Sequence, residues 1–304
     1  MIRHYAACAA RAALALVLFV SIGCSEEPAE APTPRFAPTA LTVMIEDAGP
    51  LAYTRVGEEN DESEIDFPES SGLTFHPTRK TLFTVSDDGH VGEFETDGTL
   101  VQRRHLLYED FEGITADPAS GLLYVVIEGR DNILEIDPNG LVIRREYDLA
   151  RSFEGRKLYQ LAGDGLEGIA FVPDDSHPEG GTLFVVNRSP KAKDLDDPPL
   201  LLEFELPLSS DSNDELEGTI LSATRLVVTH LSGLHYDPRA DRLLAVSDDN
   251  KIMIELTRQG ELTNASKLPA EDPEGIAIDD DGVLYIAQDS EGIIKFQPGE
   301  ATGN

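Results

Sequence analysis

The amino-acid sequence predicts an all-β protein, a five-bladed β-propeller made of four-stranded antiparallel blades. Three observations lead there. One pattern, a Ser-Gly or Glu-Gly pair, an aliphatic residue and, after a turn, a Leu-led β-rich run, occurs five times, with its shared glycine at Gly72, Gly113, Gly168, Gly233 and Gly275. In the first, second and fourth copies a second hairpin follows, its turn glycine (Gly98, Gly140 or Gly260) coming 26 or 27 residues after the shared one. Agreement at two offsets marks an internal repeat. No long amphipathic pattern interrupts the copies, so helix content should be low.

The elements follow in chain order. "MIRHYAACAAR" carries Arg3 and Arg11 and no acid, and "AALALVLFVSIG" is an apolar run too short to span a bilayer as a stable helix. Residues 1–24 therefore read as an export signal. "VSIGC" resembles a bacterial lipobox, in which cleavage before the cysteine leaves Cys24 to be lipidated with fatty acyl chains such as palmitate. Ser21 stands where the lipobox usually has Leu, which leaves cleavage near Gly23 by the general signal peptidase open. Cysteine usage agrees with the lipid reading: Cys8 leaves with the signal, and Cys24 is then the one thiol of the mature chain. Several acyl chains make a firm tether where one is marginal. Ser25, not Asp, follows the cysteine, which resembles the outer-membrane default of Gram-negative lipoproteins. The expected location is the bacterial cell envelope, the outer membrane before the inner, facing the periplasm or the exterior. Residues 25–40, "SEEPAEAPTPRFAPTA", are rich in Pro, Ala and Glu and read as a disordered tether.

Residues 41–304 form the propeller domain, long enough for a sizeable core. In the second copy the inner strand is Gly113 to Ala116, the second Leu122 to Ile127, the third Asn132 to Ile136 and the fourth Leu141 to Tyr147, joined by Asp, Asn, Pro and Gly turns. Four such strands per repeat make a propeller blade. The shared glycines lie 41, 55, 65 and 42 residues apart, which suits blades with insertions at "RSFEGRKLYQLAGDG" and "KAKDLDDPPLLLEFELPLSSDSNDELEG". The fifth copy ends after its third strand, "GIIKFQP", so a strand from Leu41 to Arg55 should complete it and remove an open edge.

Aligning the copies brings acids into columns. Before the shared glycine stand Ser71, Glu112, Glu167, Ser232 and Glu274; two residues earlier stand Glu69, Asp110, Gly165, His230 and Asp272. After the second strand come Asp87, Glu128, Arg188, Asp248 and Asp289. In a propeller the first strand of each blade lines the central channel, so these columns become rings around one axis. Carboxylates facing one another in a narrow tunnel are driven toward protonation unless a cation sits among them. Oxygen donors, no cysteine and no suitably spaced His pair favour a hard ion, calcium before magnesium. The expected ligands are Glu112, Glu167 and Glu274, helped by Asp110, Asp272 or Glu128, with Ser71 and Ser232 as weaker donors. The competing reading is that these residues only solvate the channel mouth.

The blocks "ESSGLTFHP", "LFTVSDDGHVGEFETDG", "DFEGITAD", "LYVVIEGRDNILEID", "LEGIAF", "LSGLHYDP", "LLAVSDDN" and "PEGIAID", in this order, resemble the SdiA-regulated family of exported or membrane-attached five-bladed propellers, distantly similar to NHL-repeat propellers. The resemblance covers about Leu51 to Phe296. It implies a bound calcium ion and no established reaction. "VVNRSP" departs from it, since an acid is expected near Arg188.

Composition and the remaining motifs exclude other classes. A formal charge of -33 repels phosphate backbones and anionic lipid while attracting divalent cations, so nucleic acid is not an expected partner. "GDGLEG", Gly163 to Gly168, has dinucleotide-loop spacing but precedes a strand, not a helix. Asp97-Gly98 and Asn139-Gly140 are hairpin turns that need positive φ. No G-x-S-x-G elbow or H-E-x-x-H motif occurs, and His230 at the start of a strand is more often structural. The expectation is an envelope-anchored, calcium-binding lipoprotein, monomeric, that binds an envelope protein or a small molecule. The alternative is a metal-dependent hydrolase of lactone or phosphoester type, which would use the channel carboxylates around the ion.

Overall fold

A computed structural model of the chain describes residues 45–56, 67, 69–159, 165–190, 198–210, 216–289 and 292–299. The export signal, Cys24 and the tether, residues 1–40, lie outside the described residues, as does the start of the domain at Leu41.

The described chain folds into five four-stranded antiparallel units, the fourth extended by the two-residue strand Gly49–Pro50, which runs parallel to Leu262–Lys267. Blade 1 comprises Ser70–His76, Thr81–Ser86, His90–Glu95 and Leu100–His105. Blade 2 comprises Phe111–Ala116, Leu123–Ile127, Asn132–Asp137 and Val142–Leu149; blade 3, Leu166–Pro173, Gly181–Asn187, Leu200–Glu205 and Leu216–Arg225. Blade 4 runs through Leu231–Asp237, Arg242–Ser247, Ile252–Leu256 and Leu262–Lys267. Blade 5 has Pro273–Ile278, Leu284–Gln288 and Gly292–Pro298, and its fourth strand is Tyr53–Arg55, antiparallel to the third with Arg55 opposite Phe296. The N-terminal closing strand therefore falls inside the expected segment. The inner strands pack in a circle, blade 1 on blade 2 and onward until blade 5 meets blade 1. This closed ring is a β-propeller.

Burial follows position in the blade. The second strand lies between its neighbours with both faces covered, and all five residues of Leu123–Ile127 are buried. The outer strand has fewer neighbours, and the first five residues of Val142–Leu149 alternate between exposed and half-buried. Hydrophobic clusters fill the five gaps between blades, from Val85, Phe111 and Ile127 between blades 1 and 2 to Phe67, Leu82, Tyr285 and Ala287 between blades 1 and 5. The two turns expected to need positive φ have it, at +94° for Gly98 and +80° for Gly140.

Blade 3 departs from the expected insertions. "LLLEFE" at Leu200–Glu205, read from sequence as part of a loop, is the third strand, paired with Gly181–Asn187. Its three leucines and Phe204 are buried, so they supply core, which an exposed loop cannot do. The fourth strand, Leu216–Arg225, also runs parallel to Val142–Leu149 of blade 2 over three residues, which stitches two blades into one sheet. The segment after blade 2 forms a short hairpin, Ser152–Phe153 with Arg156–Lys157.

The repeat glycines hold the axis together. A Cβ on Gly72 would stand 2.2 Å from the carbonyl oxygen of Glu112, and one on Gly113 would stand 2.4 Å from that of Glu167. Only glycine lets the inner strands approach so closely. Between the glycines and the aliphatic residues that follow them there is no room for a water molecule. This pinch divides the channel into two ends.

Candidate metal centre

Every inner strand carries an irregularity at the residue before its glycine. Register shifts fall between Ser70 and Gly72, Phe111 and Ile114, Leu166 and Ile169, Leu231 and Gly233, and Pro273 and Gly275. A β-bulge leaves one residue unpaired and re-aims its side chain. The bulge residues are the column Ser71, Glu112, Glu167, Ser232 and Glu274, which explains how an acid can sit beside a buried glycine without breaking the sheet.

Two overlapping groups of oxygens result. One oxygen each from Asp87, Asp110 and Glu112 lie within 4.8 Å of one another, as do one each from Glu112, Glu128 and Glu167. Glu167 is 1% exposed, and among the described residues neither of its carboxylate oxygens accepts from an N–H group or an alcohol; Oδ1 of Asp110 is buried and has no such donor either. Ser71 donates its hydroxyl to Asp87, and the backbone N–H of Gly165 points at Glu128 Oε1 at 3.4 Å.

The protonation equilibria record the strain. Desolvation, followed by repulsion from Asp87 and Glu128, pushes the Asp110 carboxyl up to about 7. Burial, with repulsion from Asp110, Asp87 and Glu128, pushes Glu112 up to about 8, against a carboxyl–carboxylate hydrogen bond with Glu167. Glu167 rises well above the carboxylate range, through burial first and the charge of Glu112 second. Asp87 is raised by desolvation, against the Ser71 hydrogen bond.

The other side of the mouth is neutralised by protein. Arg188 forms an ion pair with Asp248 and stands 3.9 Å from Glu274. Burial still pushes Glu274 up to about 8, against that guanidinium. Asp272 lies 3.7 Å from the Lys251 ammonium, with a side chain 56% exposed. Ser232 turns away and donates to the carbonyl of Pro273 at 2.7 Å. His230, in the left-handed region at φ +52°, has Nε2 3.3 Å from Asp249. Of the six expected acids, then, Asp110, Glu112, Glu128 and Glu167 converge, and Asp272 and Glu274 stand apart beside cations. Asp87 joins the first group; its column was legible in sequence, but its reach into the mouth was not.

The donor set fits a hard divalent cation. All its donors are carboxylate oxygens, the buried Asp110 Oδ1 and Glu167 oxygens have no donor from neighbouring N–H groups or alcohols of the described chain, and a cation of charge two would displace the protons that burial makes these acids retain. The other two buried glutamates among the described residues, Glu93 and Glu135, are satisfied by protein donors. Glu93, equally buried, accepts from Arg79 at 2.7 and 3.0 Å, from Thr81 at 2.8 Å and from Gln102 at 2.6 Å.

A family model described as SdiA-regulated matches residues 58–296. The structure is similar to that of glutaminyl cyclase from Myxococcus xanthus, at 14% identity and a TM-score of 0.53, over 81% of this chain and 95% of that one. It also matches the β-propeller domain of Cps50 (Swd1) from Myceliophteria thermophila, at 12% identity and a TM-score of 0.45, over 79% of this chain and 99% of that one. Virginiamycin B lyase from Staphylococcus aureus matches at 13% identity and a TM-score of 0.40, over 81% of this chain and 73% of that one. At such identities the likeness speaks to the fold alone.

Proposed function

Since the chain belongs to the SdiA-regulated family, we propose that it is a calcium-binding propeller of the bacterial cell envelope, anchored through lipidated Cys24, that works by binding rather than by catalysis. Asp110, Glu112, Glu128 and Glu167 hold the ion at one mouth of the channel, with Asp87 beside them. The observation that carries the reading is Glu167, a buried carboxylate that no N–H group or alcohol of the described chain serves, facing two further acids. A bound ion fixes the bulges of blades 2 and 3 and the turn after the second strand of blade 2. It thereby sets the shape of the face that an envelope protein or small molecule meets.

The test is calorimetric titration of calcium into the chelator-treated chain, beside a Glu112→Gln, Glu167→Gln double variant. Saturable binding of one ion, lost in a variant that stays folded, supports the site. A folded wild type that takes up no calcium overturns it. Anchoring is tested separately: Cys24→Ser should move the protein from the membrane fraction to the soluble one.

One observation favours a metal-dependent hydrolase as the second reading. Asp110 is half-buried at the edge of the acidic group, where it could serve as a general base beside an ion held by Glu112, Glu128 and Glu167, a role in which it would not itself be a ligand. Calcium-dependent turnover of a lactone or phosphoester, abolished by Asp110→Asn with ion binding retained, would select it over the binding reading.

A further inference from the structure

The far end of the channel, beyond the glycine pinch, holds a second cavity of about 340 Å³. It is formed by the residues two and three places after the repeat glycines and by the turns that follow them. This volume falls at the low end of the roughly 300–1,000 Å³ of small-molecule clefts. We propose that it is a binding site for a neutral, ring-bearing small molecule with one hydrogen-bonding group.

The walls define the class. Phe75, Phe171 and Tyr236 offer ring surfaces from three different blades. Pro77, Pro118, Pro173 and Pro238, one from each of blades 1 to 4 at corresponding turns, form a stiff apolar rim. Proline fixes its own backbone, so the rim is formed in advance and little order is lost on binding. The His235 imidazole and the Thr74 hydroxyl also line the cavity, and among the described residues neither side chain makes a hydrogen bond. Burial pushes His235 down to about 4, so at neutral pH its ring offers one donor and one acceptor.

Charge narrows the class further. The acids that line the cavity are already occupied. Asp237 accepts from the backbone and guanidinium of Arg239, at 3.1 and 2.9 Å. Asp279 accepts from the N–H groups of Asp281 and Val283 at 2.9 Å and from the Tyr285 hydroxyl at 3.0 Å. Asp280 is paired with Lys80. No unpaired charge among them selects an ion of either sign, whereas the imidazole and hydroxyl select a group such as N–H, O–H or C=O. The pinch separates this cavity from the acidic mouth, so its ligand and the metal ion should bind independently.

Indole is a suitable probe: neutral, planar, carrying one N–H, and fluorescent against a chain that contains no tryptophan. Titration of the full-length chain, in detergent, against indole anisotropy should saturate at one probe per chain with a Kd below about 1 mM. Ala116→Phe, which fills the cavity from its wall, should weaken binding by at least about tenfold through overpacking. The ring proton resonances of His235, identified by their loss in His235→Gln, should shift on binding. Affinity should be the same with calcium and with chelator, and neither benzoate nor benzylamine should compete. Equal affinity in a folded Ala116→Phe chain, an unmoved His235 resonance at saturation, competition by either charged probe, or no binding would each overturn the proposal. If Ala116→Phe fails to fold, the His235 shift decides. A failure here leaves the calcium titration untouched, because the two sites have no residue in common.

Discussion

Replacing Glu112 with Gln should stabilise the protein in chelator and destabilise it in calcium, relative to wild type. In the metal-free fold the Glu112 carboxyl moves from its ordinary 4.5 to about 8, through burial and the neighbouring acids. Between those two values the folded chain holds a proton that the unfolded chain has released. The stability associated with the protonated group is therefore fully present below about 4.5 and is lost as pH rises toward about 8. Expressed in full, that interval amounts to about 5 kcal/mol. Partial access to water and a proton shared with Glu167 reduce the expected effect to about 2 kcal/mol. Gln keeps the shape and removes the titration. At pH 8 in chelator Glu112→Gln should melt about 4–8 °C above wild type, at about 2–4 °C per kcal/mol for a domain of this size. At pH 4.5 the two should coincide, and in saturating calcium the order should reverse, since the variant forfeits ion binding. Thermal melts at both pH values, with the exposed Glu217→Gln as a control for overall charge, provide the measurement. A Glu112→Gln chain less stable than wild type at pH 8 in chelator would refute the claim that this carboxylate is strained without an ion.

Other perturbations separate the structural parts from the functional ones. Glu93→Ala should cost about 1–3 kcal/mol in urea denaturation, with or without calcium, because it leaves the buried Thr81 hydroxyl without its acceptor. The wild-type Glu93 carboxyl is held below its usual range by hydrogen bonds that outweigh desolvation, so its contribution is present above about pH 4.5 and fades on acidification, opposite in sign to that of Glu112. Gly113→Ala should lower stability by about 1–3 kcal/mol or prevent folding, since its new Cβ meets the Glu167 carbonyl at 2.4 Å. Deleting residues 1–55 removes the closing strand of blade 5 and bares the edge of Gly292–Pro298; size-exclusion chromatography should then show association that the intact chain lacks.

The repeat made most of this fold legible. A glycine recurring with the same flanks fixes which strand is innermost, and once that is known the acids two residues before it, immediately before it and after the second strand must share an axis. The bulge was not legible, because a one-residue irregularity leaves no mark in a pattern of period two. Without it, Glu112 and its equivalents would alternate strictly with the buried residues beside them. The split of the acids was only half visible. Arg188 was evident as a basic residue in an acidic column, yet its ion pair with Asp248 and its approach to Glu274 depend on how far a long side chain reaches across the mouth. Asp272 likewise meets Lys251 from the neighbouring blade, a contact that no spacing within one repeat encodes. The far cavity was invisible for a different reason. Its rim prolines recur five residues after the repeat glycine in four blades and read as turn residues, while the wall positions that face a ligand, such as Ala116, Phe171, Tyr236 and Ile278, differ between repeats.

Arg188 breaks the symmetry of the acidic ring. If the five units were identical, acids would ring the axis evenly and no sector would be preferred. Blade 3 replaces the acid after its second strand with a guanidinium, which satisfies Asp248 of blade 4 and leans toward Glu274 of blade 5. Half of the ring is thereby neutralised from within. Blades 1 to 3 retain Asp87, Asp110, Glu112, Glu128 and Glu167, and among the described residues only a proton held on Glu112 can serve the buried Glu167 oxygens. Glu93 shows that this chain can satisfy a buried glutamate completely when the role is structural, with four donors on two oxygens. Desolvating the charged acids of the mouth is costly, and either retained protons or a ligand that brings its own positive charge offsets that cost. One cation is supplied by the chain as Arg188; the acids it does not reach form two overlapping groups that share Glu112, one spanning blades 1 and 2 and one spanning blades 2 and 3, and these are where the proposed ion is to be sought.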